Sequence, residues 1–321
     1  MLYVIRRFPL LFCLPLFAAL SACTEATPEA KFWDFASTAS VVINRAKTQA
    51  KYTNVYPITF ELTFARPVNT TTFTAADIVQ TGTATIVSWS FVPSISPGDN
   101  RNFILSASPG SNGWVIPIID GSGILDTNGN AFNSSFSTDN VVLYSDGFLI
   151  FVSSGTYIGK LNGIAGADTI CQNLAAAQFL PNSSNFMALL GNNASDPLRD
   201  STSIMLPPSM GPIVNLNGGQ VASDYSELFG TTTNILEFVQ YDEAMAPVPF
   251  GEQVWTGMNT DGTASNNSNC NGWTDDSTAY IGRTGLANGN IPANLNQTIS
   301  TGSNPTCDTP RRIYCISTVS I

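Results

Sequence analysis

Two pairs of adjacent acidic residues are the side chains best placed by sequence for acid–base chemistry. They are Asp242-Glu243 and Asp275-Asp276, and paired carboxylates can act as acid and base when their surroundings separate their pKa values. Both pairs lie in polar, loop-like sequence, where adjacent carboxylates are usually solvated. The chain also contains no histidine, the commonest general base and zinc ligand. We therefore expect no catalytic residues and no enzyme activity.

A partial calcium-loop pattern is the second chemical candidate. Its first, third and fifth positions carry Asp126, Asn128 and Asn130. Ala131 stands where such a loop needs glycine, and Ser137 where it needs a bidentate glutamate. Trp273–Asp276 matches a calcium-dependent lectin site only in part, because Thr274 replaces the required amide. We therefore expect an ordinary turn at Asp126, with no metal and no cofactor.

The composition favours β-rich secreted modules. Apolar residues make up 43% of the 321 residues and charged residues only 11%, so Ser, Thr and Asn must cover much of the surface. The net charge of −10 opposes contact with phosphate backbones, so nucleic acid binding is not expected. Arg311 and Arg312 are adjacent at the edge of a predicted strand and should face opposite sides, which makes a basic patch doubtful.

The first 22 residues read as a secretory signal peptide. Arg6 and Arg7 precede an apolar run, Phe8–Leu20, that is too short to span a bilayer. The following Leu20–Cys23 resembles the lipobox of bacterial lipoproteins, which implies that Cys23 is lipidated and anchors the chain in a membrane. A conventional signal peptide followed by a chance cysteine is the alternative. Residues 23–37 then form a short tether.

Four cysteines remain in the exported chain, all in its C-terminal half: Cys171, Cys270, Cys307 and Cys315. An even number of cysteines in an exported chain predicts two disulfide bonds. The spacing alone allows three pairings.

Residues 38–146 carry the pattern of a β-sandwich. Ile58–Phe64 alternates apolar and polar side chains, which is typical of a strand with one buried face, and Val87, Trp89 and Phe91 alternate in the same way. Further strands are predicted at Ser40–Ile43, Phe103–Ala107, Trp114–Ile119 and Val141–Tyr144. About seven short strands in about 100 residues favour a sandwich.

This module also resembles the bacterial Ig-like repeat. The matching segments are Phe60–Val68, Phe73–Ile78 and the closing turn Asp126–Asn130. The resemblance implies a spacer or adhesive module.

Residues 147–321 predict a mixed α+β module. Phe148–Val152 is a strand candidate, and Gly163–Ala177 a helix whose apolar face carries Ala167, Ile170, Cys171 and Leu174. Asp168 suits the positive end of that helix, and Asp224–Phe229 predicts a second helix. Strands are expected at Phe186–Leu190, Gln253–Thr256 and Arg312–Ile316, with Trp255 and Trp273 packed in the core.

Four blocks of this module resemble endostatin, whose fold is C-type-lectin-like. They are Gly163–Cys171; Pro212–Leu216 with Leu228-Phe229; Val254–Gly257 with Cys270–Trp273; and Cys307 with Arg312–Ile316. With the lipobox, the chain resembles the leptospiral endostatin-like surface lipoproteins. The resemblance implies nested disulfides, Cys171 with Cys315 and Cys270 with Cys307. The histidines and clustered arginines behind endostatin's zinc and heparin binding are not present in this chain.

The family resemblance implies a non-catalytic adhesin on the surface of the outer membrane. Its expected partners are laminin, fibronectin, plasminogen and complement regulators such as factor H, and its binding residues are unknown. The alternatives are a structural lipoprotein that faces the periplasm without a host ligand, and a carbohydrate-binding lectin-like module.

Overall fold

The computed structural model describes residues 41–93, 98, 100–192, 211–229, 235–290 and 295–321. All of them belong to one compact unit, Ala39–Ile321. The predicted signal peptide, Cys23 and the tether lie outside the described residues. Within the described ranges, no helix has the length and apolar character needed to cross a membrane.

The described molecule is mainly β. The strands of the first half are β1 (Val41–Arg45), β2 (Tyr52–Thr53), β3 (Ile58–Phe64), β4 (Ile78–Gln80), β5 (Ile86–Pro93), β6 (Asn102–Pro109), β7 (Gly113–Val115), β8 (Pro117–Ile119) and β9 (Val142–Tyr144). Single 3₁₀ turns lie at Ala75–Asp77 and Gly121–Gly123. The predicted strand Trp114–Ile119 is thus divided into β7 and β8 at Ile116.

The strands of this half form three sheets. The largest is antiparallel, in the order β1-β3-β6-β5, and the others are the three-stranded sheet β2-β9-β7 and the pair β4-β8. Buried side chains from all three sheets meet in one cluster that includes Phe60, Phe64, Phe103, Ile119 and Val142. The alternation read from Ile58–Phe64 is confirmed, since every second residue of β3 is buried.

Strand β5 departs from the predicted alternation. Trp89 and Phe91 are half-buried as expected, but the Val87 side chain is 76% exposed. The pairing with β6 shifts between Ile86 and Ser88, so Val87 lies on a bulge. A bulge inserts a residue that has no opposite partner, and sequence alternation cannot reveal it.

The strands of the second half are β10 (Phe148–Val152), β11 (Phe186–Ala188), β12 (Ile213–Asn215), β13 (Gln220–Ala222), β14 (Gln253–Trp255), β15 (Thr284–Leu286) and β16 (Arg312–Ser317). They form one mixed sheet in the order β13-β12-β10-β16-β14-β15, with β11 also paired to β16. One edge of β16 pairs with β10, and the other with β14 and then β11. The last strand in sequence is therefore central to the sheet.

The predicted helix is confirmed as α1, Gly163–Ala177. Ala167 and Cys171 are fully buried, whereas Ile170 and Leu174 are only partly buried at the edge of the core. The carboxylate of Asp168 accepts a hydrogen bond from the backbone N–H of Ala188 at 2.8 Å. Asp168 therefore joins the helix to β11, a tertiary role in place of the predicted dipole role.

A second helix was predicted over Asp224–Phe229, and this prediction was wrong, because the structure has only a single 3₁₀ turn there, Ser226–Leu228. The capping contact exists, because the Glu227 N–H donates to Asp224 Oδ1 at 3.1 Å. Other short elements are the 3₁₀ turns Ser183–Asn185 and Leu295–Gln297 and a four-residue turn, Cys270–Trp273, with left-handed backbone.

The two halves are joined by one buried hydrophobic cluster to which both contribute, beside the cluster that each half has of its own. Tyr52, Trp114 and Leu143 of the first half pack in the same buried cluster as Leu149 and Phe151 of β10. Gly218, in the β12–β13 turn, lies so close to the first half that an added Cβ would meet Gly113 Cα at 2.7 Å. A continuous core of this kind resists independent motion of the halves.

Trp114→Ala should therefore weaken the whole compact unit. The side chain is 5% exposed, and a Trp→Ala truncation in a core costs about 3–5 kcal/mol of unfolding free energy. We expect one cooperative transition in chemical denaturation, shifted as a whole and seen alike by tryptophan fluorescence and far-ultraviolet circular dichroism. The control Val79→Ala, at a 45% exposed position, should change stability by less than about 0.5 kcal/mol. Two separate transitions, with only one of them shifted, would contradict a shared core.

Candidate binding region in the disulfide-bonded half

Two disulfide bonds join the C-terminal half, Cys171 with Cys315 and Cys270 with Cys307. This is the pairing implied by the family resemblance. All four cysteines are fully buried. The outer bond ties α1 to β16 across 144 residues of sequence, and the inner bond links two loop segments 37 residues apart.

Two glycines make room for the inner disulfide. An added Cβ at Gly159 would meet Cys270 Sγ at 2.3 Å, and one at Gly282 would meet the same sulfur at 2.9 Å. The Gly159 N–H also donates to the Cys307 carbonyl at 2.7 Å. Backbone therefore packs directly against the bond from two directions, which leaves this region little freedom to rearrange.

A left-handed turn at Cys270–Trp273 is the most unusual backbone feature of the region. The four residues have φ values of 49, 54, 69 and 62°. Left-handed backbone costs a residue with a side chain about 1–2 kcal/mol, so the surroundings must hold it. Asn269 Oδ1 accepts from the Gly272 N–H at 3.2 Å, and the Leu161 N–H donates to the Trp273 carbonyl at 2.9 Å. The Asn271-Gly272 dipeptide is the sequence signal that could have revealed this turn.

Trp255 and Trp273 are fully buried, which confirms that they are core residues. Their ring centroids lie 6.0 Å apart in an edge-to-face arrangement. Trp273 Nε1 donates to the Gly191 carbonyl at 2.9 Å and Trp255 Nε1 to the Tyr157 carbonyl at 2.8 Å. Neither ring presents a face on which a sugar could stack.

The segment Thr274–Tyr280, here called the clamped loop, directly follows the left-handed turn and lies at the surface. All of its residues are exposed except Asp275, which is half-buried. Its first end is held by the turn and the inner disulfide. Its last residue is held by the Cys307 N–H, which donates to the Tyr280 carbonyl at 3.0 Å. An exposed loop held at both ends by a rigid scaffold is a typical place for a binding surface.

The clamped loop is acidic. Asp275 Oδ1 accepts from the Ser277 N–H at 2.8 Å. Hydrogen bonds from Ser277, and then the charge of Lys160, lower the pKa of Asp275 below its usual 3.8. Asp276 is exposed beside it, and exposed Asp308 directly follows the cysteine that holds the end of the loop. The loop therefore offers negative charge and the partly exposed Tyr280 ring to a partner.

Asp242 and Glu243 are buried, at 8% and 6% exposure, so the prediction of solvated carboxylates was wrong for this pair. Asp242 Oδ1 accepts from the N–H groups of Ala244 and Ala246, both at 2.9 Å. The Glu243 carboxylate accepts from the Ser154 N–H at 2.8 Å and from the Ser154 hydroxyl. Neighbouring N–H groups for Asp242, and the distant Ser154 for Glu243, thus replace water as hydrogen-bond donors, which the sequence around the pair did not indicate.

The two arginines near the C-terminus have separate partners and make no shared basic patch. Arg312 Nη1 donates to the carbonyls of Ser153 and Ser154. Its Nε lies 3.3 Å from Glu252 Oε1, at ion-pair distance but without hydrogen-bond alignment. Arg311 Nη1 donates to the Pro310 carbonyl at 2.9 Å. Arg312 therefore has an ion-pair partner, Glu252.

The Asp126 segment is a turn, as predicted. Asp126 Oδ1 accepts from the N–H groups of Asn128 and Asn130, both at 2.8 Å, and Oδ2 pairs with Arg66 Nε at 3.2 Å. The oxygens that a calcium loop would direct at a cation are therefore occupied. Across the part of the chain that the structure describes, no group of three or more His, Cys, Asp or Glu side chains is arranged to hold a metal.

A family model described as "Protein of unknown function (DUF1554)" matches residues 154–290. The matched segment contains Cys171, Cys270 and the clamped loop but ends before Cys307 and Cys315. Each disulfide therefore joins the matched segment to the residues that follow it. A search of curated proteins found no match.

Loss of the outer disulfide should cost more stability than loss of the inner one. The chain-entropy model gives about 5 kcal/mol for closing the outer loop and about 4 kcal/mol for the inner loop, as upper values. The test is denaturant unfolding of the double variants Cys171→Ala/Cys315→Ala and Cys270→Ala/Cys307→Ala. Their free energies of unfolding are compared with each other and with that of the reduced wild-type chain. An inner-pair variant less stable than the outer-pair variant would contradict this order.

Asp126 should contribute to stability in a pH-dependent way. Hydrogen bonds from Asn130 and Asn128, with the Arg66 charge, lower its folded pKa below the usual 3.8. The stabilisation is therefore complete above that value and is lost as pH falls through the folded pKa. Asp126→Asn should lower the melting temperature at pH 7, and its difference from wild type should shrink between pH 4 and about pH 2. A difference that stays constant over this range would contradict the role of the ionised carboxylate.

Proposed function

We propose that this protein is a membrane-anchored surface lipoprotein that binds host macromolecules and performs no catalysis. The observation that carries the proposal is the clamped loop, an exposed acidic segment on a disulfide-bonded scaffold. A binding surface that is already ordered loses little conformational entropy when a partner binds. The proposed partners are laminin, fibronectin, plasminogen and complement regulators such as factor H.

We further propose that residues 38–146 are an Ig-like sandwich and residues 147–321 an endostatin-like domain of C-type-lectin-like fold. The three sheets around one buried cluster in the first half support the first assignment. The nested disulfides and the central last strand of the second half support the second assignment. In this arrangement the first half is a rigid spacer, because the core it shares with the second half leaves no hinge.

The chemistry of the clamped loop indicates a basic region on the partner. Asp275 and Asp276 of the loop are half-exposed and exposed, and exposed Asp308 follows Cys307, which binds the end of the loop. Opposite charges across an interface speed association and select the partner. Tyr280, which is 41% exposed, can supply the aromatic contact that often dominates the binding energy of an interface. The proposed interaction should therefore weaken as salt increases.

Surface plasmon resonance tests the proposal. The soluble variant used contains residues 23–321 and carries Cys23→Ser, so that it is not lipidated, and it is passed over each immobilised partner at physiological salt. This form contains the whole compact unit. We expect saturable binding to at least one partner, weakened about tenfold by Asp275→Asn/Asp276→Asn because two opposite-charge contacts are lost. Tyr280→Ala should also weaken binding.

Asp120→Asn is the matched control. Asp120 accepts from the N–H of Ser122 two residues later, as Asp275 does from Ser277, but it lies in the first half. We expect this variant to bind like wild type. Saturable binding to none of the four partners would contradict the adhesin proposal. An equal loss of binding in Asp120→Asn would contradict the assignment of the clamped loop.

A further inference from the structure

The sheet β1-β3-β6-β5 has two edges, and the molecule treats them differently. At the β1 edge, the Ile43 N–H donates to the Phe136 carbonyl at 3.0 Å and the Phe136 N–H donates to the Val41 carbonyl at 2.9 Å. The Arg45 N–H continues this edge by donating to the Asp139 carbonyl. A neighbouring segment thus occupies the main-chain groups of β1.

The β5 edge has no such cover among the described residues. Strand β5 pairs with β6 on one side, and antiparallel geometry directs the N–H and C=O groups of alternate residues away from that partner. In the described part of the chain, no backbone hydrogen bond beyond the β5–β6 ladder involves Val87–Val92. An exposed edge of this kind is a template for another β-strand.

The exposure of the β5 side chains also indicates that no strand lies beside this edge among the described residues. Trp89 and Phe91 face the core, yet both remain half-exposed. Phe91 is held from inside by Phe73, at 4.1 Å between ring centroids. Val92, on the outer face, is 58% exposed. A strand added beside β5 would cover the exposed flanks of both aromatic rings.

The residues of β5 favour a second copy of the same strand as the occupant. Ile86–Pro93 contains no charged residue, although the chain carries a net charge of −10. Charged side chains, especially lysine, are one common protection of a free edge, and β5 lacks them; its bulge at Val87 and its terminal Pro93 leave Ser88–Val92 for regular pairing. A neutral strand can oppose itself without placing like charges opposite each other.

Symmetry restricts the register of such a pair to axes that pass through a residue of β5, and Ser90 is the middle of its regular stretch, Ser88–Val92. A two-fold axis perpendicular to the sheet keeps the core faces of both copies on the same side, so residues of the same face must oppose each other. With the axis at Ser90, Trp89 lies opposite Phe91 of the second copy, and the same pair recurs across the axis. Aromatic cross-strand pairs of this kind stabilise antiparallel sheets.

We propose that β5 is a dimerisation edge that pairs antiparallel with β5 of a second copy, centred on Ser90, to form a continuous eight-stranded sheet. The bulge at Val87 limits the regular stretch to Ser88–Val92. A short interface of this kind predicts a weak, concentration-dependent dimer. The proposal is independent of the ligand proposed for the clamped loop, because it rests on residues of the first half alone.

Sedimentation velocity of the secreted form, residues 23–321 with Cys23→Ser, tests the dimer from about 1 to about 100 μM. We expect the mass to rise from one chain towards two across this range. Ser90→Lys should raise the concentration needed for dimer by at least about fivefold, because two lysines would oppose each other at the axis. Val55→Lys, at a 66% exposed position outside β5, is the matched control and should dimerise like wild type.

A mixture of two variants tests the register. Ser90→Lys and Ser90→Glu should each be largely monomeric, and their equimolar mixture should form a one-to-one heterodimer because opposite charges then meet. Circular dichroism and thermal unfolding of each variant establish that it folds. A monomeric wild type across the whole range, or a Ser90→Lys variant that dimerises like wild type, would overturn the proposal. A mixture that stays monomeric would overturn the register.

Discussion

The disulfide between Cys171 and Cys315 joins helix α1 to the strand on which the larger sheet is built. Strand β16 pairs with β10 on one edge and with β14 and β11 on the other. Because β16 is last in sequence, the sheet cannot close until the end of the chain has returned. The covalent bond to α1 holds it in that central position across 144 residues, where chain entropy opposes closure most strongly.

The same constraint determines what the surface can present. With β16 and β14 in place, the inner disulfide packs against Gly159 and Gly282, and Trp255 against Trp273. This buried arrangement holds the left-handed turn and the start of the clamped loop. A polar loop can then stay exposed and ordered, because its ends are attached to the core and its carboxylates are used locally.

The shared core gives the first half a structural role that a separate spacer would not have. Trp114 and Leu143 are buried in the cluster that contains the outer disulfide. The first half therefore contributes to the packing of the second, while β5 is the last strand of its sheet among the described residues. Surfaces for two different interactions, a host ligand and a second copy, can thus lie on one rigid body.

Local patterns in the sequence were sufficient to predict the strands and helices in which apolar side chains recur at regular intervals. The strand Ile58–Phe64 and the helix Gly163–Ala177 have the predicted bounds, because periodic burial leaves a periodic sequence. The turn at Asp126 was also predictable, since Asx turns are formed by neighbouring residues. The burial of Trp255 and Trp273 followed from their size and apolar character. The disulfide pairing could not be chosen from the spacing and came from the family resemblance.

Tertiary structure decided every feature that depends on residues distant in sequence. Asp242 and Glu243 resemble solvated loop acids in sequence, but Ser154, 89 residues before Glu243, supplies donors that allow its burial. Asp168 resembles a helix-dipole residue and instead binds the backbone of Ala188. The bulge at Val87 and the buried cluster shared by the two halves likewise arise from pairing and packing. Such contacts leave no local pattern, because their partners are brought together only when the chain folds.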